Sequence, residues 1–152
     1  MALKVGDMAP DFVLKDQNSE EFKLSGTRGR RVLLSFHPLA WTKVCAQQMQ
    51  SLEENNNALE SLNTVPVGIS VDSIPTKKAW AENLGIKNVR LLSDFWPHGQ
   101  VAQLYGVFIE EKGFSQRANI IVDGNGKIAF VKVYEISQLP DIQEIIKALK
   151  EL

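Results

Sequence analysis

The run Arg31-Val32-Leu33-Leu34-Ser35-Phe36-His37-Pro38-Leu39-Ala40-Trp41-Thr42-Lys43-Val44-Cys45 changes its hydrophobic period partway along, and the change decides the fold. Arg31 to Phe36 is a short apolar run bounded by Gly29 and Pro38, with the length and branching of a buried strand. From Thr42 onward the period becomes helical. Cys45, Met49, Leu52, Leu59 and Leu62 recur at helix-like spacing through a segment rich in Gln, Glu and Leu, which predicts one long amphipathic helix with Cys45 in its first turn. Unpaired backbone N–H groups and the macrodipole at a helix start favour an anion, and a thiolate is one. Free cysteine is also among the most buried residue types, so a plain core position competes with a reactive one. Position alone does not choose between them.

Outward from this stretch the chain alternates strands and helices. Phe12-Val13-Leu14 and Phe22-Lys23-Leu24 flank a polar segment and predict an N-terminal hairpin. Val65 to Val71 reads as a second buried strand, with Pro66 placed best at its start. Pro75 opens a helix that carries Ala79, Trp80 and Leu84 inward and stops at Gly85. Val89 to Leu92 is a brief strand, and Gly99 to Tyr105 a short helix. Ala118 to Val122 and Lys127 to Val133 surround Asp123-Gly124-Asn125-Gly126, whose residues tolerate the positive φ of a tight hairpin turn. Ile142, Ile145, Ile146 and Leu149 give a closing helix its apolar stripe. Asn56 falls in the seam of the long helix, so either it has a buried partner or the helix bends near Asn55-Asn56-Asn57. Parallel βαβ pieces plus an antiparallel hairpin, covered by helices, make a three-layer α/β arrangement with a mixed central sheet. With a cysteine between strand and helix, and an N-terminal β-hairpin extension, it resembles the thioredoxin fold.

Composition bounds the function. A chain of 152 residues with 44% hydrophobic content can bury a core without staples, so residues 1–152 are expected to form a single domain. The net charge of −1 comes without a basic stripe, which argues against nucleic acid. Apolar runs fall far short of the ~18 residues of a spanning helix, and the N-terminal segment lacks the apolar region of a secretory signal. A cytoplasmic location is the expectation. Cys45 is the only cysteine, so no internal disulfide can form. His37 and His98 lie in no Cys/His cluster, and neither a metal nor another cofactor is expected.

Pro38, Thr42 and Cys45 form Pro-x-x-x-Thr-x-x-Cys, and with Arg117 they resemble the active site of the peroxiredoxins. The resemblance extends to Gly6-Asp7-Met8-Ala9-Pro10-Asp11-Phe12, to Val71-Asp72-Ser73 with Ala79-Trp80, and to Arg117-Ala118-Asn119-Ile120-Ile121-Val122-Asp123. Leu91 to Gly99 and Tyr105-Gly106-Val107-Phe108 are similar to the one-cysteine alkyl hydroperoxide reductase E subgroup. The resemblance implies a thiol-dependent peroxidase acting on hydrogen peroxide and organic hydroperoxides. Cys45 would attack the peroxide, Thr42 would hydrogen-bond it, Pro38 would shield the thiolate, and Arg117 would support the charge. Backbone N–H groups around Val44 and Cys45 would stabilise the departing oxygen, with Gln48 holding Arg117 in a secondary role.

Each residue also has a plainer reading. Arg117 could be a surface arginine at a strand end, Thr42 an N-cap, and Pro38 a strand terminator. Trp41, Trp96 and the loop from Asp94 to Gly99 are candidates for a homodimer contact. His37 reads best as an aromatic-sized core or rim residue, and His98 as a turn or interface residue. A dithiol oxidoreductase would need a second cysteine where Gln48 stands. A resolving cysteine of one common peroxiredoxin type would occupy the position of Gln50. Reduction therefore calls for an external thiol or a thioredoxin- or glutaredoxin-like partner. A peroxide sensor or holdase on the same scaffold is the alternative.

Overall fold

A computed structural model describes residues 3–152. Two strands, β1 (Val13–Lys15) and β2 (Glu21–Lys23), form the N-terminal hairpin, and a 3-10 turn over Leu24–Thr27 leads into β3 (Arg31–Phe36). Then come α1 (Lys43–Glu54), α2 (Asn56–Ser61), β4 (Thr64–Ser70), α3 (Ile74–Leu84), β5 (Arg90–Ser93) and α4 (Gln100–Leu104). The chain closes with a small pair β6 (Phe108–Ile109) and β7 (Phe114–Ser115), the hairpin β8 (Arg117–Val122) and β9 (Ile128–Tyr134), and α5 (Ile142–Lys150). Seven strands make one mixed sheet in the order β2-β1-β5-β4-β3-β8-β9.

The sheet's centre is the quoted strand. β3 runs parallel to β4 and antiparallel to β8, with Phe36 opposite both Ile69 and Ala118. Period-2 alternation sends Val32, Leu34 and Phe36 into one core with Phe12, Phe22, Tyr105 and α4, and Leu33 into the other with α1, α3 and α5. Ser35 alternates to the same side as Leu33. That placement puts a hydroxyl on the face where the cysteine helix packs.

Three expectations change. The predicted long helix is interrupted at Asn55, whose backbone leaves helical geometry (φ −104°, ψ 13°) while its side-chain amide donates to the Ser51 carbonyl at 2.8 Å. Asn competes with the helix by bonding its own backbone, and Leu59 restores the apolar stripe in α2. The bend, with Asn56 half-buried, resolves the alternatives at that residue. In α3 the inward face is Lys77, Trp80, Ala81 and Leu84, whereas Ala79 is exposed. Spacings of three and four select 77, 80, 81 and 84, and Ala79 lies off that stripe. The β6–β7 pair was not anticipated, because two residues per strand leave no alternation to read.

Other features follow the local chemistry. Ser73 caps α3 by accepting from the Thr76 N–H, Pro75 sits in its first turn, and Gly85 ends it with φ 71°. Pro66 lies in the part of β4 that pairs with β3 ahead of the β5 register, which begins at Val67 opposite Arg90.

Candidate active site

Beyond β3 the chain turns through Pro38 to Thr42, and Trp41 takes a positive φ of 69°, which an L-residue adopts only when its surroundings enforce it. The turn is pinned by Asp72, whose Oδ2 accepts from the Ala40 N–H at 2.8 Å and from the Ser70 hydroxyl at 2.6 Å. Thr42 is the N-cap of α1 by backbone position, yet its hydroxyl donates to the Leu39 carbonyl at 2.8 Å and makes no side-chain cap. No acidic residue occupies the first turn of α1. Cys45 sits there, 1% exposed, with its thiol free.

Arg117, at the start of β8, reaches the sulfur. Its Nε and Nη2 both donate to the Ile136 carbonyl, at 3.0 and 2.7 Å, which fixes the plane of the guanidinium. Its Nη1 then donates to Cys45 Sγ at 3.3 Å and to Gln48 Oε1 at 2.7 Å. Arg117 is only 2% exposed. Among the described residues the ion pairs are Lys4–Asp7, Arg90–Asp16 and Lys132–Glu144, so no carboxylate neutralises this cation. Among the described residues, the cysteine sulfur is the one group in contact with this buried cation that can carry a compensating negative charge.

Gln48 belongs to a longer chain of hydrogen bonds. Its amide donates to Ser35 Oγ at 2.6 Å, Ser35 Oγ donates to Asn119 Oδ1 at 2.8 Å, and the Tyr134 hydroxyl donates to Glu144 at 2.8 Å. Asn119 Nδ2 closes the chain with a long contact of 3.5 Å to the Tyr134 oxygen. The polar line therefore runs from Arg117 through the sheet to α5, and among the described residues no buried side-chain nitrogen or oxygen lacks a partner. Burial holds the Tyr134 hydroxyl above its ordinary range, which keeps it a donor. Ser35 and Asn119 escaped the sequence reading because isolated polar residues in apolar strands carry no period of their own.

A groove of about 330 Å³ has Pro38, Thr42, Val44, Phe114, Arg117 and Ile136 in its wall, and Arg117 connects it to the buried thiol. The six residues singled out from sequence, Pro38, Thr42, Val44, Cys45, Gln48 and Arg117, thus lie around one point. Phe114 and Ile136 come from β7 and from the loop after β9, and nothing local in the sequence pointed to them. His98 lies elsewhere, its Nε2 donating to the Gly113 carbonyl at 2.7 Å as a tether between loops. His37 is fully buried against Trp80, with ring centroids 5.4 Å apart. Among the described residues no group of three His, Cys, Asp or Glu side chains could hold a metal ion.

A thioredoxin-like sheet with a lone thiol at a strand-to-helix junction, held against a buried arginine, defines the class of thiol-based redox proteins. Residues 5–131 match the model of the AhpC/TSA family. Alkyl hydroperoxide reductase E of Mycobacterium tuberculosis is 42% identical over 140 residues, covering 91% of each chain. A thiol peroxidase of Oceanobacillus iheyensis is 34% identical over 149 residues, covering 97% of this chain and 89% of its own. The crystal structure of a peroxiredoxin-like protein from Aquifex aeolicus superposes with a TM-score of 0.89 at 30% identity, over 99% of this chain and 88% of that one. The chain belongs to the AhpC/TSA family, the peroxiredoxins, and is similar to alkyl hydroperoxide reductase E within it.

Proposed function

We propose that this peroxiredoxin is a one-cysteine thiol peroxidase that reduces hydrogen peroxide and organic hydroperoxides at Cys45. The observation that carries the reading is the buried Arg117 cation with Cys45 Sγ at 3.3 Å as its counter-group. The thiolate attacks the terminal peroxide oxygen, the S–O bond forms as the O–O bond breaks, and the departing oxygen takes a proton to leave as water or an alcohol. Arg117, the Thr42 hydroxyl and the backbone N–H groups around Val44 and Cys45 stabilise the charge that develops on that oxygen. Pro38 keeps water from the sulfur, and Gln48 positions Arg117.

Cys45 is left as a sulfenic acid. With no second cysteine in the chain, an external thiol attacks the sulfenic sulfur and releases water, and a further thiol cleaves the mixed disulfide to restore Cys45. A low-molecular-weight thiol or a thioredoxin- or glutaredoxin-like protein fits this role. Leu39, Val44, Phe114 and Ile136 give the groove an apolar wall suited to the tail of an alkyl hydroperoxide, the substrate class that the name of the mycobacterial relative carries. Trp41, Phe95 and Trp96 are 54%, 51% and 83% exposed, and we expect them to contribute to a homodimer contact. Residues 1–152 act as one domain in this reading, in a reducing compartment such as the cytoplasm. Peroxide turnover by wild type and Cys45→Ser, with monothiols and thioredoxin as reductants, tests it. Sustained turnover by wild type alone supports the peroxidase; equal consumption by Cys45→Ser sinks it, and a single turnover that no reductant restores describes a sensor.

A further inference from the structure

Lys77 is the most unexpected side chain in the core. It is 0% exposed on α3, in the stripe that also buries Trp80, and its Nζ lies 3.1 Å from His37 Nε2. The Ser35 carbonyl can only accept, so His37 Nδ1 carries the ring proton and donates to it at 3.4 Å, and Nε2 of the neutral ring accepts from Lys77 Nζ. His37 is held through both its ring and its backbone. Trp80 stacks against it, Ser115 Oγ donates to the His37 carbonyl at 3.3 Å, and a Cβ at Gly68 would crowd the ring while colliding with Met49 Sδ. Glycine at position 68 is what lets imidazole and methionine both lie against β4. Met49 is one turn beyond Cys45 on α1, and Cys45, Met49 and Trp80 share one core cluster.

The charged groups around this pair come from several elements. Asp72 follows β4, Asp94 follows β5, and Cys45 stands on α1; all three attract the Lys77 ammonium, while Arg117 on β8 opposes a charge on His37. Burial pushes Lys77 down from 10.5 to about 7. Burial, followed by the neighbouring Lys77, holds His37 well below its ordinary range and therefore neutral. Keeping lysine here costs folding stability at every pH below 10.5, a cost that methionine of similar length would avoid. A side chain retained at such cost, in contact with the residue that precedes Pro38, points to the site.

We propose that Lys77 and His37 form a positioning pair for Cys45: a second buried cation, fixed on the imidazole behind α1, that shares with Arg117 the stabilisation of the thiolate. The inference rests on Cys45 as the nucleophile. The pair touches neither substrate nor sulfur and acts through its charge. Below about pH 7 the ammonium is present and supports the thiolate; as pH rises through that value the support is lost.

Stopped-flow peroxide oxidation of wild type and Lys77→Met across pH tests the pair. The ratio of the two rates is expected to be on the order of tenfold near pH 6 and to fall toward one by about pH 9. A ratio independent of pH, whether one or larger, overturns the proposal, since a structural lysine would give that result. Carbon-13 titration of labelled lysine in wild type and Cys45→Ser decides the matter even if Lys77→Met misfolds. By reciprocity the Lys77 midpoint should lie about one pH unit higher in wild type than in Cys45→Ser. Equal midpoints overturn the coupling. Wild type that consumes no peroxide at any pH would instead overturn the nucleophile itself, so the two failures are separable.

Discussion

Replacing Arg117 by Gln removes the cation beside Cys45 and keeps a polar side chain in its place. At the observed 3.3 Å, Coulomb's law with an effective dielectric constant of about 20 gives an attraction of about 5 kcal/mol between guanidinium and thiolate. Water entering the vacated space recovers part of this, and charge-assisted hydrogen bonds retain a net worth of about 1.5–3 kcal/mol. That range predicts a second-order rate with peroxide about 10- to 150-fold below wild type at neutral pH. Arg117→Lys should fall between them, because one ammonium cannot hold the Ile136 carbonyl through two donors and still reach Sγ and Gln48. Stopped-flow fluorescence, with circular dichroism to confirm folding, measures both variants. A rate for Arg117→Gln within about threefold of wild type would show that the arginine's charge is not what activates the sulfur.

Gln48→Leu cuts the links from Gln48 to Arg117 and Ser35, so about 1–3 kcal/mol of stability should be lost in urea titrations, with a slower peroxide reaction from a guanidinium no longer held in place. Phe114→Ala removes apolar wall from the groove and should slow reaction with a long-chain organic hydroperoxide about tenfold while leaving the hydrogen peroxide rate unchanged, which competition kinetics would read directly. Glu53 gathers the backbone N–H groups of Lys87, Asn88 and Val89 at 3.2, 3.0 and 2.9 Å. Burial alone would raise its carboxyl, but these donors outweigh it and hold the group below its ordinary 4.5. Its contribution is therefore complete above that pH and is lost as pH falls through the lowered value. With the site partly solvated and screened, Glu53→Gln should cost about 1 kcal/mol at pH 7 and nothing in strong acid, as thermal melts at the two pH values would show.

The architecture was legible wherever one period governed a segment. β3, β4, the β8–β9 hairpin and α5 fall within a residue or two of their predicted positions because their burial patterns repeat along the chain. α1 was overextended because apolar spacing continues across Asn55 although the backbone does not. On α3 the apolar pattern predicts Trp80 and Leu84 inward but places Ala79 there in error and leaves out Lys77, whose burial depends on tertiary contact with His37. Within the site, Pro38, Thr42 and Cys45 could be read from one short stretch. Arg117 needed the family pattern. Ser35, Asn119, Phe114 and Ile136 are brought in by sheet register and by loops distant in sequence, which no local spacing encodes.

The central claim is that peroxide oxidises Cys45 and that recovery comes from another molecule. Intact-protein mass spectrometry after one equivalent of peroxide, with and without dimedone, tests it most directly. The account predicts one oxygen gained per chain at Cys45, trapped by dimedone and removed by added thiol. An unmodified Cys45 after the peroxide is consumed would contradict it, as would quantitative conversion to a Cys45–Cys45 disulfide between chains.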